Sequence, residues 1–256
     1  MERQEISNLS FLTGKWPMEE NKLNLIFIHD VGATAMNWIF QIKEFAEKFN
    51  IIVPDLPGHG KSQGPGMNNV QDYAKRIVDF LNEINADKFI VIGTSMGGAI
   101  AMQLLADYPD KFTSGVLLNT GAKLAVLPTI FEAILSDFKA FVTGMSDFLF
   151  PATLNINEDI SSLMDMLEIK QKVVLDDFTA CHNFDIRKRL HEIKVPVLVI
   201  SAKNDIMTPV WYGEYLRKNI KNAKFLLVEG AGHLAHVEKP EIVNKAIMEF
   251  ISSGNH

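Results

Sequence analysis

The chain has 256 residues, 47% of them hydrophobic, and a formal net charge of −6. That length can bury one sizeable core. The acidic balance, with no Lys/Arg cluster, argues against nucleic-acid binding, which needs a basic patch. The single cysteine, Cys181, excludes an internal disulfide framework and a Cys-rich metal site, and reads as a small buried apolar residue.

The N-terminal stretch "MERQEISNLS" is polar and lacks the apolar centre of a signal peptide. No apolar run approaches the roughly 18 residues of a membrane span. The expectation is a cytoplasmic protein without a membrane span. In chain order, the segment before Leu23 is expected to add an antiparallel edge hairpin. "LNLIFI" (Leu23 to Ile28) then reads as a buried strand, and "NWIFQIKEFAEKF" as a helix with Trp38, Ile42, Phe45 and Phe49 on one stripe. A strand follows at Asn50 to Asp55, then a helix, "DYAKRIVDFLNEI", with Tyr73, Ile77, Phe80, Leu81 and Ile84 apolar. The strand Lys88 to Gly93 leads into the small-residue helix "SMGGAIAMQLLADYP", and Ser114 to Asn119 is a further strand. Val195 to Ser201 and Ala223 to Gly230 are the last two. The helices "PVWYGEYLRKNI" and "KPEIVNKAIMEFI" follow them, each with proline near its start. The strands are rich in β-branched residues without strict alternation, as expected when both faces are covered. Alternating strands and helices predict an α/β fold, a mostly parallel central sheet with helices on both faces.

One stretch breaks the rhythm. From Gly121 to Arg187 no convincing strand is present, while Phe131, Phe138, Phe141, Met145, Phe148, Phe150, Met164, Met166 and Phe178 recur. A bare loop of that length is uncommon in a compact domain. The expected organisation is a core of residues 1–120 and 188–256 with a helical cap inserted at 121–187. Phe138 and Phe141 are candidates for an apolar acyl pocket. No arginine lies between Gly121 and Ile186, so the cap offers no obvious bidentate anchor for a substrate carboxylate, although a single lysine among Lys123, Lys139, Lys170 and Lys172 could serve.

The chemistry centres on "GTSMGG", Gly93 to Gly98, between a strand and a helix. That context suits G-x-S-x-G: a sharp turn holds the serine strained and exposed, and glycines let two backbone segments cross. The helix N-terminus adds free N–H groups beside Ser95. A nucleophilic serine needs a base, and the base an orienting acid. Asp205 follows the strand Val195 to Ser201, and His233 follows the strand at Ala223. Alone, Asp205 reads as a loop acid and His233 as a surface histidine. Three such residues at carboxyl ends of strands in one sheet read as a Ser-Asp-His set. "GHGKS" is not a P-loop, because Asp55 stands where that motif needs glycine. "GTSMGG" is not G-x-G-x-x-G, because Ser95 replaces the second glycine. His233 and His236 lack the H-E-x-x-H pattern of a zinc site. His29, His59 and His236 read as structural, and His182 as solvated.

"IHDVGATAMNW", "VPDLPGHGKS", "IGTSMGGAIAMQLL", "VPVLVISAKNDIMTP" and "EGAGHLAHVEKPEIVNKAIMEFI" together resemble the α/β-hydrolase superfamily, in its group of small, cofactor-free hydrolases with a helical lid. The resemblance implies Ser95 as nucleophile, His233 as base and Asp205 as its partner. It also implies an oxyanion hole from the backbone N–H groups of Met96 and Val31, with neither metal nor organic cofactor. The expected activity is hydrolysis of a small carboxylic ester with an apolar acyl group, through an acyl-enzyme. The same triad serves lactone, thioester and carbon–carbon hydrolysis. A ligand-binding signalling protein that keeps such a pocket is the reading from another class. The family pattern has glycine where this chain has Asp30. A carboxylate aimed at the oxyanion would oppose its charge, so Asp30 is expected to point away and accept local backbone hydrogen bonds.

Overall fold

The computed structural model describes residues 1–149 and 170–254. Eight strands form one sheet: β1 (Glu2–Ile6), β2 (Leu9–Thr13), β3 (Asn24–Ile28), β4 (Asn50–Pro54), β5 (Phe89–Thr94), β6 (Phe112–Leu118), β7 (Val197–Ala202) and β8 (Ala223–Val228), in the order β1-β2-β4-β3-β5-β6-β7-β8. β1 and β2 make the expected edge hairpin, with Ile6 opposite Leu9. β2 runs antiparallel to β4, and all later pairings are parallel.

Alternation along each strand divides the core into two layers. Ile26 and Ile28 of β3, with Phe89 and Val91 of β5, face α2 (Val70–Glu83), α3 (Met96–Asp107) and Leu216 of α7 (Val210–Asn219). Leu25, Phe27, Ile90 and Ile92 face α1 (Ile39–Phe45) and α9 (Pro240–Ser252) on the other side. The inner strands are buried almost throughout, Asn24 and Thr113 being half-buried, whereas β8, at the edge, is largely half-buried. The stretch read as one helix from Asn37 begins instead with a 3-10 turn, Ala35–Trp38, started by Thr34, whose hydroxyl accepts from Met36 N–H. α8 (Ala235–Glu238) is a short turn before α9.

Between β6 and β7 lie α4 (Pro128–Ser136), α5 (Phe138–Leu149) and α6 (Gln171–Asn183). Ile134, Val174 and Phe178 form a small apolar cluster here, joined by Phe131, Phe138, Phe141, Met145 and, from outside these helices, Val31. Among the described residues of this stretch the only β contact is the bridge between Lys123 and Asp185. Phe150, Met164 and Met166 lie outside the described residues.

The strand order positions the site. From β3 the chain passes through α1 on one face to β4; from β5 it passes through α3 on the other face to β6. The loops after β3 and β5 therefore diverge, leaving a crevice at their carboxyl ends.

Candidate active site

Ser95 occupies the turn between β5 and α3 with φ 52° and ψ −117°. A side chain in this left-handed region is strained, and the turn is held by its neighbours. Ser95 N–H donates to Leu118 O at 3.0 Å, and Thr120 Oγ1 donates to Ser95 O at 2.7 Å. The flanking glycines are required by close approach: a Cβ on Gly93 would lie 2.1 Å from Gly97 O, and one on Gly97 would lie 2.1 Å from Ile28 O. Helix α3 thus sits directly on the end of β3, bringing the Ser95 turn beside the loop that starts at His29.

Asp205 follows β7, and His233 follows β8. His233 Nδ1 lies 2.8 Å from Asp205 Oδ2, both side chains being buried. The same oxygen accepts from Thr208 Oγ1 at 2.6 Å, while Oδ1 accepts from Met207 N–H and Thr208 N–H at 2.8 and 2.9 Å. Burial acts to raise the Asp205 pKa, but the His233 charge and these donors outweigh it and lower the pKa. For His233 burial acts downward, and the attraction of Asp205 outweighs it, so the pKa is raised. With Nδ1 committed to a carboxylate, that nitrogen carries the proton and Nε2 of the neutral ring is the free base.

The His233 loop is itself clamped. Asn119, at the end of β6, donates through Nδ2 to His233 O at 2.6 Å and Gly232 O at 3.1 Å, while its Oδ1 accepts from Ala202 N–H at 2.9 Å. Glu238 accepts from the N–H groups of Gly232 and Leu234. His236 packs against Trp38 with ring centroids 4.4 Å apart. Burial, with the His233 charge adding to it, pushes the His236 pKa down to about 3, so the ring is neutral.

The loop after β3 is braced from both sides. His29 Nδ1 lies 2.8 Å from Asp30 O, and its Nε2 accepts from Leu56 N–H at 3.0 Å, so Nδ1 carries the proton. Because a trans peptide sets C=O and N–H antiparallel, this bond turns the Val31 N–H away from His29. The next N–H, of Gly32 (φ 63°), donates to Asp177 Oδ2 at 2.9 Å. That carboxylate, on α6, also faces His59 Nε2 at 2.7 Å and accepts from Tyr73 Oη at 2.6 Å. Asp55, fully buried, pairs with Arg3 at 2.6 Å and accepts from Ala35 N–H at 2.7 Å.

Ser95, His233, Val31 and Asp30 line one cavity of about 690 Å³, together with residues 206–208 and parts of α4, α5 and α6. That volume suits a small organic molecule. Phe141 lines it; Phe138 is not part of its wall and stacks on Phe141, centroids 6.4 Å apart. Met96 opens α3 with a fully buried side chain. The expectation for Asp30 needs correction in one part, its direction. Its side chain is 7% exposed and belongs to the cavity wall, where its Oδ1 accepts from the Asn37 side chain at 2.9 Å, while its own backbone N–H also donates to the carboxylate. The short reach of Asp, anchored sideways by Asn37, keeps the carboxylate at the wall. Cys181 is buried there as well, and burial pushes its thiol pKa well up. Asn37, Asn119 and Asp177 had no sequence signal, because their partners lie far along the chain. Among the described residues no group of three His, Cys, Asp or Glu side chains is arranged to hold a metal ion, and no helix is long and apolar enough to cross a membrane.

The family model for the alpha/beta hydrolase fold matches residues 24–240. The chain belongs to the α/β hydrolase family. Among relatives of this α/β hydrolase, 3-oxoadipate enol-lactonase 2 of Acinetobacter baylyi is 26% identical over 233 residues, covering 87% of this chain and 86% of that one. The pimeloyl-[acyl-carrier protein] methyl ester esterase of Wigglesworthia glossinidia brevipalpis is 27% identical over 253 residues, covering 91% and 95%. The fold is also that of the enol-lactonase from Burkholderia xenovorans LB400, with TM-score 0.86 at 19% identity, covering 98% of this chain and 100% of that one.

Proposed function

We propose that this α/β hydrolase is a serine esterase that cleaves a small carboxylic ester through an acyl-enzyme. The observation that carries the reading is the buried Asp205–His233 pair at 2.8 Å, sharing one cavity with Ser95 on its strained turn. Ser95 Oγ attacks the ester carbonyl as His233 Nε2 takes its proton. Developing charge on the carbonyl oxygen is met by the N–H groups of Met96 and Val31, the first of which belongs to the N-terminus of α3. His233 then gives its proton to the leaving alcohol, and water, deprotonated by the same nitrogen, releases the acid and restores Ser95. Asp205 keeps the proton on Nδ1 and stabilises the imidazolium.

Residues 121–187 act as a lid over the cavity in this reading, with Phe141 forming part of an apolar acyl pocket and Phe138 supporting it from behind. The enzyme works in the cytoplasm on a small-molecule substrate. Lactone hydrolysis is the second reading, favoured by the enol-lactonase among its relatives. A panel of p-nitrophenyl esters of increasing acyl length, with Ser95→Ala as control, tests the proposal. Turnover that Ser95→Ala abolishes is expected, with a length preference that shifts in Phe141→Ala. Equal activity in the Ser95→Ala control rejects the serine mechanism, and acylation without release favours a receptor instead.

A further inference from the structure

The wall beside Ser95 carries an unusual charge. Asp30 lines the cavity together with Ser95 and His233, and Asp137 joins it at an exposed position before α5. Among the described residues lining the cavity there is no lysine or arginine. The surrounding cations are spent or turned outward. Lys123 and Arg187 pair with Asp185, and Lys172 pairs with Asp176 at 2.6 Å. Lys139 and Lys170 are exposed. Residues 150–169 contain no lysine or arginine at all, so that stretch has no cation to offer.

We propose that the cavity selects uncharged or cationic acyl groups and rejects those ending in a free carboxylate, with Asp30 as the residue that sets this specificity. The inference rests on the esterase reading above. Two carboxylates in one poorly hydrated cavity repel strongly, because the medium screens them weakly. Nothing on the wall repays the desolvation of a second anion. The groups facing Asp30 are the Asn37 amide, His233 after β8, His59 from the loop after β4, and Asp177 and Cys181 from α6. Burial raises the Asp30 pKa to about 6, so the side chain is ionised at about pH 8 and largely protonated at about pH 5.

The test compares methyl hexanoate with monomethyl adipate, esters of equal chain length that differ in a terminal carboxylate. In the wild-type enzyme at about pH 8 the ratio of kcat/KM values is expected to favour the neutral ester by about 100-fold, the size of a weakly screened charge pair. Apolar walls alone give part of that ratio, so the decisive reading is its change. Asp30→Asn is expected to lower the ratio about tenfold. Asp30→Ser, which also removes the charge, is expected to lower it similarly. If one of these two variants fails to fold, the other decides. A ratio unmoved by both changes, or near one at the start, overturns this inference and leaves the esterase reading standing. No turnover of either ester, or equal turnover by Ser95→Ala, overturns the esterase reading and this inference with it.

Discussion

His59 Nε2 and Asp177 Oδ2 stand 2.7 Å apart with both side chains buried, joining the loop after β4 to helix α6. His59 Nδ1 also faces a carbonyl, Pro57 O, at 3.0 Å. Two acceptors at two ring nitrogens suit an imidazolium, and although burial opposes it, the Asp177 charge raises the His59 pKa. Because Asp177 also holds Gly32 N–H, one carboxylate couples α6 to the loop carrying Val31. Replacing Asp177 by Asn removes the main charge that holds the His59 pKa up and leaves the buried ring poorly paired. Breaking such a pair typically costs about 3–5 kcal/mol. Urea unfolding should register a loss of that order, and kcat should fall more than KM changes, since the loop is held less firmly. Unchanged stability would mean that the pair contributes nothing.

Stability should peak near neutral pH. Burial, followed for His29 by the His59 charge, pushes the His29 pKa down to about 3, and His236 is likewise held near 3. Both stay neutral in the folded chain while the unfolded chain protonates them below about 6.5, so stability falls as pH drops from about 6.5 towards 3. The slope is about 1.4 kcal/mol per pH unit per histidine. Asp30, raised to about 6, works against this between its unfolded and folded values. His59 and His233 have raised values; their contribution is complete below about 6.5 and is lost as pH rises through the folded value. Urea titrations across pH should show both limbs. His236→Gln should make the acid limb shallower by about one proton, whatever it does to absolute stability.

The rate profile follows from His233. Its pKa is raised, and in the proposed mechanism it can take a proton only when neutral. Ester hydrolysis should therefore climb with pH through a value above the ordinary histidine range. Asp205→Asn removes the attraction that raises it and weakens the hold on Nδ1. A loss of about 10⁴ in kcat is expected, the size seen when this acid is changed in other Ser-His-Asp enzymes. A loss of less than tenfold in a folded variant would argue against the assigned role.

Gly97→Ala should be severe. Its Cβ would meet the backbone carbonyl of Ile28 at 2.1 Å, and neither β3 nor α3 can retreat without uncoupling the Ser95 turn from the loop at His29. Circular dichroism and thermal melting should show a large destabilisation. A folded Gly97→Ala protein with full esterase activity would refute the close-approach account.

Asn119→Ala tests the clamp under His233. It removes donors to Gly232 O and His233 O and the acceptor for Ala202 N–H, all buried. Buried groups left unpaired cost about 1–3 kcal/mol each. Lower melting temperature and a reduced kcat are expected, with the His233 pKa read from the rate profile as the sign of a shifted loop.

By itself the sequence determined the layered sheet, the turn around Ser95, and the chain order of Ser95, Asp205 and His233. Those signals are local: apolar runs set strands, glycines permit a tight crossing, and each candidate residue follows a strand. Tertiary structure decided what joins them. Asp177 meets Gly32 from 145 positions away, and Asn119 meets His233 across 114; no period or motif encodes such pairs, because they depend on where separate elements come to rest. The orientation of Asp30 belongs to the same class. Whether a carboxylate two residues past a strand faces backbone or cavity depends on a neighbour such as Asn37, and only the folded loop brings that amide to it.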